Sequence, residues 1–398
     1  MKRSLIITTV TVDRLKRFLW LLLAYCIRYC IPIKTSRVIC WSFSYKQYGC
    51  SPRYITEYAL SNHPEDFEFF WVLQKGVDDT RIDKRINIIR PNTFKYLIVL
   101  YSSKFIISNE RNDNRRNYLI KKRGQKYIMT WHGPFALKKI EKDAETVLHP
   151  SYLRRAKYDS RMCDLMLSNS SFCTDLINRA FWYNGEILEQ GIPRNDIFFG
   201  KERCDLARKG VAQWAKIDHI AEKTIVMYAP TFRDQMNVDQ FCLNWTPLLD
   251  TLEHKYRKPV LLFLRMHPNV AHSTNIDRLL SDNRIINMGL YPDMQELLCV
   301  SDVLITDYSS TMFDFALMNK VCYLYAPDVN QYNRGFYFDI RELPFSLAES
   351  EDELLSHINN FDETVYQKKI QTFKKEKLGI HESGHASKAV VEWMLSNL

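Results

Sequence analysis

Neither G-x-G-x-x-G nor G-x-x-x-x-G-K-[ST] occurs in the 398 residues, so ordinary dinucleotide and ATP binding lack the loop that carries them. No D-x-D pair is present, which fits a site where cations of the protein stand in for a metal; neither metal nor organic cofactor is expected. The ten cysteines are scattered from Cys26 to Cys322 without a C-x-x-C pair or paired clusters. That spacing argues against a zinc site or a disulfide framework, and the expectation is reduced thiols in a cytoplasmic enzyme. Internal repeats and low-complexity segments are missing too, which removes solenoids and disordered tails. No apolar run reaches the ~20 residues needed to cross a bilayer, and no small-residue cleavage site follows the N-terminal one. Without a secretory signal, the sequons at Asn169 and Asn244 read as chance.

What is present is a globular composition, 46% hydrophobic and 25% charged, of a length that suggests two domains. A formal net charge of +9 favours an anionic partner: nucleic acid, an acidic membrane or a phosphate-rich substrate. Near the N-terminus Arg14, Lys16 and Arg17 precede the apolar run Phe18–Ile27, interrupted by Arg28 and ended by Pro32. Leu15, Leu19, Leu22, Cys26 and Cys30 fall at helical spacing. This suits an amphipathic helix lying in a membrane interface, and equally a helix packed on the first domain.

Beyond it, short apolar strands alternate with helical stretches, the pattern of doubly wound α/β domains. Strands are expected at Arg37–Phe43, Phe67–Leu73, Ile86–Ile89, Phe105–Ser108, Tyr127–Trp131 and Leu165–Ser168. A second series follows the charged stretch Lys201–Lys223: Thr224–Ala229, Val260–Arg265, Ile285–Met288, Val303–Thr306 and Val321–Tyr325. The expected organisation is a membrane-associating segment over residues 1–33 and two Rossmann-like domains over 34–200 and 201–398.

Ligands of open α/β sheets bind beyond the carboxyl ends of strands, and polar clusters follow the strands here. They are Trp131-His132-Gly133, Ser168–Ser171, Pro230–Asp234, Arg265-Met266-His267-Pro268 and Asp307–Ser310. Five such clusters describe one cleft between two domains. Ser309, Ser310 and Thr311 open a helical pattern after a strand, which makes either an anion site or an ordinary N-cap. Arg265 with His267 suits a phosphate clamp; His132 beside Gly133 is either a general base or a structural histidine.

Taken in order, these segments resemble the CDP-glycerol glycerophosphotransferases that build teichoic acids and related capsules. The residues are Trp131-His132-Gly133 with Leu137–Ile140, Gly191–Asp196, Tyr228–Arg233, Arg265–Pro268, Ile305–Ser310 with Phe313-Asp314, Tyr332–Tyr337 and Gly384–Ser387. The likeness spans roughly residues 36–394 and departs at Pro134-Phe135-Ala136, which puts the acceptor in question more than the reaction. It implies a GT-B-like fold and transfer of glycerol phosphate from CDP-glycerol to a lipid-linked or polymer acceptor, releasing CMP. The place would be the cytoplasmic face of the membrane, by peripheral attachment to its anionic surface. His132 would be the base and His267 a second catalytic group. Gly133, Lys138, Arg194, Thr231, Arg233, Arg265, Ser309, Ser310 and Asp314 would bind substrate. A nucleotide-sugar transferase and a CDP-ribitol transferase remain alternatives, since one fold serves many donors.

Two rivals come from other classes. His381-Glu382-Ser383-Gly384-His385 matches H-E-x-x-H, but a zinc site needs both histidines on one face of a helix, and Gly379 and Gly384 argue against that. A nucleic-acid binder finds no RRM, KH or zinc-finger pattern, and no nucleic-acid partner is expected.

Overall fold

The computed structural model describes residues 19–112, 119–231, 243–266, 280, 282–331 and 335–398. Two all-parallel sheets organise it. The first holds β1 (Lys34–Trp41), β2 (Glu68–Val72), β3 (Asn87–Ile89), β4 (Ser103–Ser108), β5 (Lys126–Met129), β6 (Leu165–Leu167) and β7 (Glu186–Leu188). The second holds β8 (Thr224–Ala229), β9 (Val260–Leu264), β10 (Ile285–Asn287), β11 (Val303–Thr306), β12 (Val321–Tyr325) and β13 (Ser346–Ala348). The orders are β3-β2-β1-β4-β5-β6-β7 and β10-β9-β8-β11-β12-β13. Both reverse direction once, between β1 and β4 and between β8 and β11, the switch points at which such folds bind ligands.

The strands form where the sequence can be buried on both faces. In β8 all six residues are buried, and Tyr228 pairs with Ile305 of β11. In β1 the run from Val38 to Trp41 is fully buried, with Ile39 opposite Ile106 of β4. Helices close both faces. The C-terminal helix, Ala386–Leu395, returns to the first sheet, burying Val390, Val391 and Met394 with Ile55, Phe105 and Leu165. Asp196 fixes its start by accepting from Ala386 N at 3.0 Å and Ser387 N at 2.8 Å.

The helix described over residues 19–30 packs on the first domain, one of the two expectations for the N-terminus. Ala24 and Ile27 are buried with Tyr101 and Leu119, and Trp20, Leu21 and Leu23 pack against them. Its outer side is apolar and open: Leu19 is 54% exposed, Leu22 51% and Tyr29 65%. The basic residues Arg14, Lys16 and Arg17 lie outside the described residues. No helix among the described residues is long and apolar enough to cross a membrane.

One sequence expectation is corrected. Cys204 and Cys299 form a disulfide, with Cα atoms 5.8 Å apart. Helix Lys201–Ala215 packs on helix Met294–Val300 and brings the two together; a separation of 95 residues in sequence gave no hint of it.

Candidate active site between the two sheets

The carboxyl ends of the two sheets face a shared cleft of about 760 Å³. Ser44 after β1, Glu110 after β4 and His132 after β5 line one wall, and Thr231, Arg265 and Ser309 line the other. Each lies within three residues of the end of a strand whose burial fixes its direction.

His132 reaches the cleft because Trp131, with φ of +53°, turns the chain sharply at the end of β5. For a bulky residue that left-handed conformation costs of order 1–3 kcal/mol and has to be held by its surroundings. Trp131 is held by packing against Phe181, with ring centroids 5.0 Å apart. The His132 ring lies 5.8 Å from Phe43 and 4.7 Å from Trp131. Its Nδ1–H donates to the Asn109 carbonyl at 2.8 Å. A carbonyl only accepts, so this bond places the proton on Nδ1 and leaves the Nε2 lone pair free. The residue is open to the cleft, yet its walls are protein rather than bulk water. The pKa is therefore lowered by desolvation; the Asn109 carbonyl opposes this and Arg194 adds to it.

Asn109 serves twice, because its Oδ1 also accepts from Phe43 N at 3.0 Å. Glu110 accepts from the backbone N–H and the hydroxyl of Ser44. Together they hold Phe43, Ser44 and Tyr45, three successive non-glycine residues with positive φ of 44°, 55° and 68°. Asn109 and Glu110 carry no motif signal, and the sequence did not single them out.

Arg265 sits on the opposite wall. Its Nη1 donates to the carbonyls of Met288 at 2.5 Å and Gly289 at 2.8 Å. No carboxylate among the described residues lies within ion-pair distance of it. Burial lowers its pKa to about 10, with Asp293 acting against the shift; the guanidinium remains charged at neutral pH.

Arg194 and Asp314 form a brace behind the cleft. Arg194 Nη2 donates to Asp314 Oδ2 at 2.5 Å and its Nη1 to the His132 carbonyl at 2.6 Å. Asn195 and Gln295 also donate to Asp314, at 3.3 and 3.4 Å. Burial opposes the charge of both partners. For Arg194 burial is the largest single influence and lowers the pKa, but Asp314, Cys50 and Glu382 together outweigh it and the pKa is raised; for Asp314 desolvation prevails over Arg194 and its pKa is raised as well. We take both as charged, since the 2.5 Å contact and three donors fit a carboxylate.

The remaining expected residues are distributed unevenly. Thr231 N donates to both Asp307 oxygens, at 2.9 and 3.0 Å, which ties the β8 and β11 loops together. Ser309 Oγ accepts from Thr311 N at 3.3 Å, while the Ser310 side chain makes no cap bond. A Cβ on Gly133 would stand 3.5 Å from Ser310 Oγ, so the two domains approach closely there. Lys138 lies in an antiparallel bridge with Phe336, flanked by Tyr337 N donating to Leu137 O at 2.8 Å. His267 and Arg233 lie outside the described residues.

A family model described as CDP-Glycerol:Poly(glycerophosphate) glycerophosphotransferase matches residues 23–396. The chain belongs to that family. The chain is 31% identical over 380 residues to a teichoic acid poly(glycerol phosphate) polymerase of Bacillus subtilis, covering 91% of this chain and 49% of the relative. The counterpart from Bacillus spizizenii is 29% identical, with 92% and 93% covered. A teichoic acid glycerol-phosphate transferase of Staphylococcus aureus is 30% identical, with 88% and 90% covered. The chain thus spans about half the length of the first relative and nearly all of the other two. Among solved structures, the wall teichoic acid polymerase TagF superposes with a TM-score of 0.82 at 25% identity, covering 97% of this chain and 96% of that one.

Phe135 of the departing Pro134-Phe135-Ala136 segment is buried in the second domain's core, its ring 6.0 Å from Phe313. The H-E-x-x-H segment is not helical between His381 and His385. Glu382 turns inward instead, accepting from Asn169 at 2.9 Å, Asn195 at 2.8 Å and Ile192 N at 3.2 Å. Among the described residues no group of three metal-ligating side chains converges.

Proposed function

We propose that the chain transfers glycerol phosphate from CDP-glycerol to a hydroxyl of a membrane-bound polyol-phosphate acceptor, releasing CMP. The acceptor oxygen bonds to the glycerol-side phosphorus, the bond from that phosphorus to the CMP oxygen breaks, and the hydroxyl proton passes to His132 Nε2. The observation that carries this reading is the Nδ1–H bond from His132 to Asn109 O, which fixes the tautomer of a base. Arg265 supplies a charge for the pyrophosphate and for the phosphate that leaves. Ser309, Ser310 and Thr231, with His267 and Arg233, complete the donor site, and Gly133 lets the backbone approach it. Arg194 and Asp314 act one step back: they hold the His132 carbonyl and join the domains. Lys138 serves on the acceptor side.

Glycerol rather than ribitol is favoured because relatives named for glycerol phosphate match across 88–92% of the chain. The poly(ribitol-phosphate) polymerase of Bacillus spizizenii matches over 43%. The GT-B-like reading rests on two facing Rossmann-like sheets with one cleft. Attachment to the cytoplasmic face of the membrane rests on the outward stripe of Leu19, Leu22, Tyr25 and Tyr29, next in sequence to three basic residues. The test is to incubate purified protein and acceptor with CDP-glycerol, CDP-ribitol or UDP-sugars and to measure released nucleotide. CMP from CDP-glycerol is expected; preferential release of UDP would reject the donor assignment.

A further inference from the structure

At the amino end of the second sheet, away from the cleft, lies a separate pocket of about 360 Å³. Lys223 and Thr224 stand at the start of β8, Lys258 two residues before β9, and Asp302 just before β11. Arg208, from helix Lys201–Ala215, and Tyr256, from helix Trp245–Tyr256, close its sides. None of the three cations has a carboxylate within ion-pair distance among the described residues. Two acids stand near: Asp302, whose Oδ2 accepts from Ile225 N at 2.8 Å, and Glu363, close enough to act on the Tyr256 hydroxyl. Among the described residues that hydroxyl is buried without a hydrogen-bond partner, an unmet bond that a ligand oxygen would supply. Behind the pocket, Lys320 donates to the carbonyls of Cys299 and Ser301, both at 2.7 Å. Burial lowers its pKa to about 8; Asp302 opposes this and Arg208 reinforces it. The pocket thus concentrates positive charge around one unsatisfied donor.

We propose that this pocket is a second anion site that holds a phosphodiester of the polyol-phosphate chain on which the enzyme acts. The proposal rests on the function proposed above. The six residues of β8 separate the pocket from the cleft by about 20 Å at ~3.3 Å per residue. A donor seated in the cleft does not reach that far, whereas a polymer leaving it does. Two separate lysines and one arginine, rather than a closed cradle of backbone N–H groups, suit an anion that repeats along a chain with one charge per unit. Such a site would retain a growing chain between additions, giving the second binding event a high effective concentration.

The experiment titrates the full chain with oligo(glycerol phosphate) of defined length, with CMP and with inorganic phosphate. It compares wild type with Lys223→Ala/Lys258→Ala and, independently, with Arg208→Gln. Oligomer affinity should fall roughly tenfold in the double variant, and the difference should shrink as salt screens the cations. CMP affinity and single addition to a one-unit acceptor should stay as in wild type, which also reports that the variants fold. Products on long acceptors should shorten. Unchanged oligomer affinity in both variants would overturn the site, and an equal loss of CMP affinity would assign it to a free phosphate monoester. Wild-type protein that binds the oligomer at this pocket yet transfers nothing from CDP-glycerol would instead fault the proposed reaction.

Discussion

As the proposed base, His132 can accept a proton only while its Nε2 is unprotonated, and its surroundings favour that state. Desolvation lowers its pKa from 6.5, so kcat/KM should rise with pH through an apparent pKa below 6.5 and be level by neutrality. A rising limb centred above 7 would mean that another group takes the proton. Arg265 is tested by binding: Arg265→Ala removes a positive charge from the cleft wall and should weaken CDP-glycerol roughly 10- to 100-fold, for a charged hydrogen bond worth about 1.5–3 kcal/mol. Lys at that position should restore only part of the affinity, because its point charge cannot reproduce the planar fork held by the Met288 and Gly289 carbonyls. Unchanged affinity in folded Arg265→Ala would place the pyrophosphate elsewhere.

Between elements, the seam of the two domains is set by polar residues whose partners are far off in sequence. Breaking the Arg194–Asp314 pair leaves one buried charge alone, so Asp314→Ala should cost about 3–5 kcal/mol in denaturant unfolding. A loss below about 1 kcal/mol would show the pair to be incidental. Glu382 offers a pH test. Desolvation raises its pKa from 4.5 to about 7, against three donors. The folded state then binds the proton more tightly than the unfolded one, so this contribution is present below about 4.5 and is lost as pH rises through about 7. Glu382→Gln should flatten stability over that window relative to wild type; identical slopes would exclude the assignment. Much of this scale was legible in the sequence. Val303–Thr306 and Thr224–Ala229 were readable as strands because nearly continuous apolar runs mark strands buried on both faces. Edge strands Glu186–Leu188 and Ser346–Ala348 were not, being three residues long and partly exposed. His132, Arg265 and Ser309 were legible because polar residues directly after strands must face the sheet's carboxyl end. Asn109, Glu110 and the inward turn of Glu382 were not, because each is defined by a partner that only the fold supplies.

At the scale of the molecule, the packing of the N-terminal helix changes how attachment should be tested. Removing residues 1–33 would uncover the surface that Ala24 and Ile27 bury, so truncation confounds attachment with folding. Leu19→Ser with Leu22→Ser alters only the outward stripe: unfolding should shift by less than about 0.5 kcal/mol, while pelleting with anionic vesicles should fall. Full pelleting by that folded variant would move the membrane contact elsewhere. The reaction itself is tested most directly by CMP release from CDP-glycerol in wild type and His132→Ala, alongside the donor affinity of each. Wild type should release CMP in proportion to acceptor, and the variant should be slower by about 10²–10⁴-fold with donor affinity changed less than about twofold. Undiminished CMP release by folded His132→Ala would remove the base from the mechanism and with it the chemical reading of the cleft.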